Sequence, residues 1–204
     1  MRKGPDKWAL LAVIFVVMVV GDQVTKFLAV ERLTWAFQRT GLVGLAERVR
    51  GFYALRHLEG ASRPPYVVWD PMWRMTYAEN PGAAWGLFRD MTPGLRNGFF
   101  VAVTLAAAGF ILWYYRRLRQ DQRFLQVALA FVLSGAVGNL LDRVARGYVV
   151  DFVQWHWWRK PDVYWPIFNL ADSLIVVGVA MLLLHPDERR ATAGKKDGAA
   201  EVRA

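Results

Sequence analysis

Phe124-Leu-Gln-Val-Ala-Leu-Ala-Phe-Val-Leu-Ser-Gly-Ala-Val-Gly-Asn-Leu-Leu141 is the stretch that decides how this chain folds. It contains no Asp, Glu, Lys or Arg over 18 residues. At ~1.5 Å of rise per residue a helix of that length reaches about 27 Å, close to the ~30 Å hydrocarbon thickness of a bilayer. Ser134, Gly135 and Gly138 stand on it at spacings that let a second helix approach closely. Directly beyond it come Asp142 and Arg143, and then the apolar run Tyr148-Val-Val-Asp-Phe-Val153, with Asp151 in its middle. A membrane helix followed by an acid in apolar company is the frame from which the rest of the chain reads.

Three further stretches of similar length lie outward from it: Trp8 to about Val30, interrupted by Asp22 and Lys26; Gly98–Tyr115; and Trp165–Leu184, which contains Asp172. The fold class expected is an α-helical polytopic membrane protein with four transmembrane helices. Residues 1–185 form a single membrane domain, and the extracytoplasmic segment 31–97, between spans one and two, is partly β or irregular. The first span carries Arg2, Lys3 and Lys7 ahead of it and no Ala-x-Ala-like cleavage site after it, so it reads as an uncleaved signal anchor. The charged, Ala- and Gly-rich residues 186–204 read as a disordered cytoplasmic tail. Apolar residues make up 55% of the 204, yet the mean hydropathy is only +0.18, because loops and tail dilute the spans. The net charge of +9 sits largely in short loops, which fits topology and anionic-lipid contact rather than nucleic acid. The chain has no Cys, which excludes disulfides and thiol chemistry. Its three His lack metal-ligand spacing, so neither a metal nor a cofactor is expected.

The loop 116–123 holds four arginines against one aspartate. By the positive-inside rule it faces the cytoplasm, as do both termini, and 31–97 and 142–164 face the exterior. This topology gathers the polar residues at the outer leaflet. Asp22 and Lys26 lie at the outer end of span one, and Asn80-Pro-Gly82 precedes span two. Asn139, Asp142 and Arg143 close span three, Asp151 follows it, and Asn169 and Asp172 open span four. None lies mid-membrane as a relay, which argues against a transport path. Ionisable groups at membrane depth cost on the order of 2.5–3.5 kcal/mol and mark function by default. Asp22 and Lys26, at i,i+4, read as a structural ion pair; Asp142 and Arg143 read as an interfacial cap and clamp. Asp172 has no basic residue after it in its own span, so its partner must come from elsewhere. Two acids sharing one site point to a carboxylate dyad and hydrolysis by an activated water. Two other classes stay open: a Ser–Lys hydrolase using Lys26 with Ser134 or Ser173, and a non-enzymatic transporter or adaptor.

Five tracts in order, Asp22-Gln-Val-Thr-Lys26, Asn80-Pro-Gly-Ala-Ala-Trp85, Gly138-Asn-Leu-Leu-Asp-Arg143, Val149-Val-Asp-Phe152 and Phe168-Asn-Leu-Ala-Asp-Ser173, resemble the lipoprotein signal peptidases (signal peptidase II), a family of membrane aspartic proteases. The resemblance covers about 22–185, excluding much of 31–75. It implies that Asp151 and Asp172 are the catalytic pair. Asp22, Lys26, Asn80, Gly82, Asn139, Asp142, Arg143 and Asn169 then bind substrate or support the site. It further implies cleavage of diacylglyceryl-modified prolipoproteins just before the lipidated cysteine, in the bacterial inner membrane. No cofactor is implied, and the enzyme would act in functional sequence with a prolipoprotein diacylglyceryl transferase. Two departures stand out: Trp85 where the family more often has Phe, and a longer 31–75 segment.

Overall fold

The computed structural model describes residues 6–82, 91–158 and 160–184. Three long helices form the body: α1 (Lys7–Leu33), α4 (Pro93–Arg117) and α5 (Arg123–Arg146). All three are long and apolar enough to cross a membrane. A shorter apolar helix, α6 (Leu170–Leu183), packs along α5. Between α1 and the sheet lie α2 (Ala36–Arg39) and α3 (Leu45–Ala54). Four antiparallel strands pair in the order β1 (Tyr66–Trp69), β2 (Trp73–Asn80), β3 (Val149–Trp157) and β4 (Lys160–Tyr164).

The ends of these elements follow from local chemistry. Asp6 caps α1 by accepting from the Trp8 N–H at 3.0 Å, satisfying one of the orphan donors of a helix start. At the same end of the bundle, Lys7 donates to the carbonyls of Arg116 and Leu118, and the Tyr115 hydroxyl donates to the Lys7 carbonyl. These bonds fasten α1 to the α4–α5 turn. Helix α5 stops where Gly147 takes the left-handed conformation (φ 83°), which a glycine adopts without steric penalty.

Helices α5 and α6 touch because glycine removes the side chain between them. A Cβ at Gly135 would collide with the Ala171 carbonyl oxygen and come within 2.8 Å of Ile175, and one at Gly178 would lie 2.6 Å from Val132. Two apolar cores result. One, at the α4–α5 turn end, is built on Leu11, Ile111, Tyr115, Leu125 and Leu129. The other, at the sheet end, joins Val30, Phe37, Phe52, Tyr77, Val150 and Phe152. The second core is what seats the sheet and α2–α3 on top of α1.

The structure corrects the expected layout in three places. The fourth apolar stretch is helical from Leu170, not from Trp165. Phe168 pairs with Val153, and Asn169 caps the helix, so the stretch enters extended and the described α6 has 14 residues, about 21 Å. Among the described residues three helices therefore meet the length needed to span, and α6 is shorter. Second, the β structure is not confined to the segment between spans one and two. Two of its four strands, β3 and β4, come from 149–164, within the segment 142–164 expected as an exterior loop. Third, α5 runs on to Arg146, so Asp142 and Arg143 lie within a helix instead of closing it. Trp85 and the tail 186–204 lie outside the described residues.

Candidate active site

Asp151 and Asp172 arrive from different elements and meet at one residue, Asn169. The β2–β3 ladder pairs Ala78 with Asp151 and Asn80 with Val149, so the last residue of β2 stands beside Asp151. The Asn80 side-chain amide donates to Asp151 Oδ2 at 2.9 Å, and Asn169 Nδ2 donates to Asp151 Oδ1 at 2.6 Å. Asp172 sits in the first turn of α6, in a capping box with Asn169. Its backbone N–H donates to Asn169 Oδ1 at 3.0 Å, and its Oδ2 accepts from the Asn169 N–H at 3.2 Å. Its other oxygen accepts from Asn139 Nδ2 at 2.7 Å. Asn169 thus bonds both carboxylates at once, its side-chain amide donating to that of Asp151 and its backbone N–H to that of Asp172.

These donors are neutral amides. Among the described residues neither acid makes an ion pair, so Asp172 finds its partners on α5 and in its own cap rather than in a cation. Asp151 is 2% exposed; Asp172 is half-buried and lines an open cleft of about 490 Å³ with Asn80, Gly82, Asn139, Arg143, Phe100 and Trp165. Burial and then the Asp172 charge push the Asp151 carboxyl up from its ordinary range to about 7. A carboxyl in that condition can hold a proton near neutral pH.

Next to the acids lies a buried cluster of four charges. Lys26 Nζ is 2.9 Å from both Asp22 and Asp142 and donates to Asn139 Oδ1 at 2.9 Å. Arg146 pairs with Asp142 at 2.7 Å. Two acids and two bases cancel, as burial demands. The cluster grips every wall of the site. Asp22 accepts the Ala171 N–H at 3.0 Å on α6, and Asp142 accepts the Val150 N–H at 3.1 Å, one residue before Asp151. Asn139, held by Lys26, passes its own amide to Asp172. Gly138 leaves the room: a Cβ there would lie 2.6 Å from Asp22 Oδ2. Asn80 Oδ1 accepts from the Gly82 N–H, and Arg143 donates to the Gly82 carbonyl at 3.3 Å, which pins the turn after β2.

All ten sequence-derived site residues therefore fall in one connected constellation. Asp142 is the one placed differently: fully buried and bonded to Lys26, Arg146 and Val150, it is an interior hub and not an interfacial cap. Two members were missed. Arg146, at i,i+4 from Asp142, also donates from Nε to the Phe52 carbonyl at 2.9 Å and stacks over the Phe52 ring at 3.8 Å. Gln23 donates to Asp22, to the Gly138 carbonyl and to Asp142, and accepts from the Tyr53 hydroxyl. The i,i+4 spacing was a usable signal for Arg146. The serines of the alternative reading are spent locally: Ser134 donates to Ala130 O and Ser173 to Asn169 O.

Comparison with known proteins adds an independent line. A family model described as signal peptidase (SPase) II matches residues 14–186. A lipoprotein signal peptidase of Anaeromyxobacter sp. (strain Fw109-5) is 63% identical over 190 residues, 93% of this chain and 90% of that protein. One from Symbiobacterium thermophilum is 39% identical over 178 residues, 86% of this chain and 93% of its own. A bacterial membrane enzyme structure solved by the in meso method at 1.9 Å resolution superposes with a TM-score of 0.62 at 25% identity, covering 90% of this chain and 96% of that one. A second, at 2.3 Å resolution, gives 0.60 at 27% identity and covers 86% of each chain.

Proposed function

The chain belongs to the signal peptidase II family, and from that premise we propose that it removes the signal peptides of prolipoproteins as an aspartic endopeptidase, with Asp151 and Asp172 as the catalytic pair. The observation that carries the reading is the bridge through Asn169, which holds two carboxylates against amide donors at the edge of an open cleft. Amides orient both acids without neutralising either, which leaves Asp151 able to carry a proton.

In this mechanism Asp151, buried and held up in pKa, carries the proton and polarises the scissile carbonyl. Asp172, on the cleft side, accepts a proton from the attacking water. Collapse of the tetrahedral species returns a proton to the leaving amine, and the acids exchange roles. Asn80, Asn139 and Asn169 orient the carboxylates. Arg143 holds the Asn80–Gly82 turn, and the Asp22–Lys26–Asp142 cluster fixes the backbones that carry the acids. Lys26 is committed to two carboxylates and an amide oxygen, which disfavours it as the base of a Ser–Lys hydrolase.

The substrate class is a prolipoprotein whose cysteine carries diacylglycerol, cut just before that cysteine, and so supplied by a diacylglyceryl transferase acting earlier. The chain is a single peptidase domain over 1–185. It sits in the bacterial inner membrane with α6 as a fourth crossing, both termini cytoplasmic and the site at the outer leaflet. Purified protein should cleave a lipidated preprotein and leave the unlipidated form intact. Asp151→Asn and Asp172→Asn, nearly isosteric but unable to act as bases, should each abolish cleavage in a protein that still folds. Near-native turnover in either variant would refute the dyad.

A further inference from the structure

Beneath the sheet, on the side away from the acids, a groove of about 680 Å³ runs between α1 and strands β1 to β3. Its α1 wall is Thr25, Leu28, Ala29, Arg32 and Leu33, residues that share one helix face over about 12 Å of axis. The opposite wall includes Val68, Trp73, Met75 and Phe152. Phe152 faces this groove, while its neighbour Asp151 bonds Asn80 and Asn169. Successive strand residues point to opposite faces, so the groove and the catalytic cleft are separate spaces on two sides of β3.

The groove is polarised along its length. One end is Thr25 and Leu28; the other carries Arg32 on α1 and Arg63 just ahead of β1, and among the described residues no acid lines it. The Arg32 side chain is 79% exposed, and its nearest carboxylate, on Glu31, is 4.0 Å away. Arg63 is fixed from behind: its Nε donates to the Thr34 carbonyl at 2.8 Å, and its guanidinium lies 3.8 Å from the Trp35 ring centre. Among the described residues its terminal nitrogens make no hydrogen bond. A guanidinium fork held in that way suits a phosphate oxygen pair.

We propose that this groove binds one anionic glycerophospholipid of the leaflet in which the sheet sits. An acyl chain lies along Leu28 and Phe152, and the phosphate lies between Arg32 and Arg63. The occupant is fixed by the two ends together. An apolar trough alone would take any chain, and two arginines alone any anion; a trough closed by two cations and no acid selects a lipid of net negative charge over a zwitterionic one, whose ammonium the arginines repel.

The test uses the full chain in detergent micelles, with native mass spectrometry after adding phosphatidylglycerol or phosphatidylcholine of matched chains. The wild type should retain the anionic lipid several-fold over the zwitterionic one. Arg32→Gln removes an exposed charge that is paired only loosely, with Glu31 at 4.0 Å, and should cut that preference about five-fold, the ratio expected for one basic side chain at an anionic surface. Leu28→Trp, which fills the trough, should reduce retention of both lipids. Equal retention of the two lipids by the wild type overturns the proposal. So does an unchanged preference in Arg32→Gln, or displacement of the lipid by soluble glycerol phosphate, which would indicate a bare anion site. None of these readouts involves peptide cleavage, so they stand or fall apart from the peptidase assignment.

Discussion

At the scale of single residues, the balance of charge at the site sets its pH dependence. Asp151 is held above the ordinary carboxyl range by burial and by Asp172, and is drawn down again by the amides of Asn80 and Asn169. Raising the pH through about 7 ionises it, which places two like charges in one site and removes the proton the mechanism needs. The pH profile of kcat/KM should therefore fall on its alkaline side. Asn80→Ala removes a donor that favours the ionised form, so it should move that alkaline limb to higher pH while lowering the maximum. A limb that moved down would contradict the role given to Asn80. The same sign governs stability. An acid whose folded pKa is raised contributes stability that is full below its unfolded value, near 3.8, and lost as the pH rises through about 7. The neighbouring cluster follows different arithmetic. Lys26→Met leaves Asp22 and Asp142 facing Arg146 alone, whereas Asp22→Asn with Lys26→Met leaves a neutral Asp142–Arg146 pair. Breaking a buried pair costs about 3–5 kcal/mol, so Lys26→Met should be severely destabilised. The double variant should lose less than the sum of the singles in thermal unfolding. Strict additivity would mean that Asp22 and Lys26 do not act as a pair.

At the scale of elements, the parts legible in the sequence are those whose signal is long or expensive. Helices α4 and α5 are visible as uninterrupted apolar runs, α1 as one broken by Asp22 and Lys26, and Asp151 and Asp172 as acids where acids cost most. Strand β3 was not visible as a strand. Its first four residues are all buried, with the sheet-end core on one side and the site on the other, so the alternation that marks a half-buried strand is missing. Arg146 was lost for a related reason. The apolar run stops at Leu141, yet α5 continues for another turn because Asp142 and Arg146 satisfy each other at i,i+4. Helix packing supplies a direct test of how α6 is placed. Gly135→Ala drives a methyl group into the Ala171 carbonyl and Ile175. It should destabilise the protein by about 1–3 kcal/mol and lower turnover, because α6 carries Asp172. Gly109→Ala on α4 meets nothing within 4 Å and should leave both unchanged or slightly improved. Equal effects at the two glycines would count against the close α5–α6 contact as the feature that positions the acid.

At the scale of the whole molecule, the acidic site and the basic α4–α5 turn stand at opposite ends of the bundle. The sheet, the acids and the charge cluster share the end where α1 finishes, while Lys7 and the α4–α5 turn with Arg116, Arg117 and Arg119 share the end where it starts. Exposed Trp155, Trp157, Trp158 and Trp165 ring the sheet end, the placement expected for aromatic side chains at a membrane interface. The positive-inside rule then predicts that the α4–α5 turn is cytoplasmic and the sheet exterior. A chain without native cysteine permits a clean measurement. A single cysteine at position 120 should resist an impermeant thiol reagent in intact cells and react once the membrane is opened, whereas one at position 67, in β1, should react in both. The reverse pattern would put the acids on the cytoplasmic side, where a lipid-modified preprotein held in the outer leaflet could not reach them, and the proposed substrate would have to be abandoned along with the orientation.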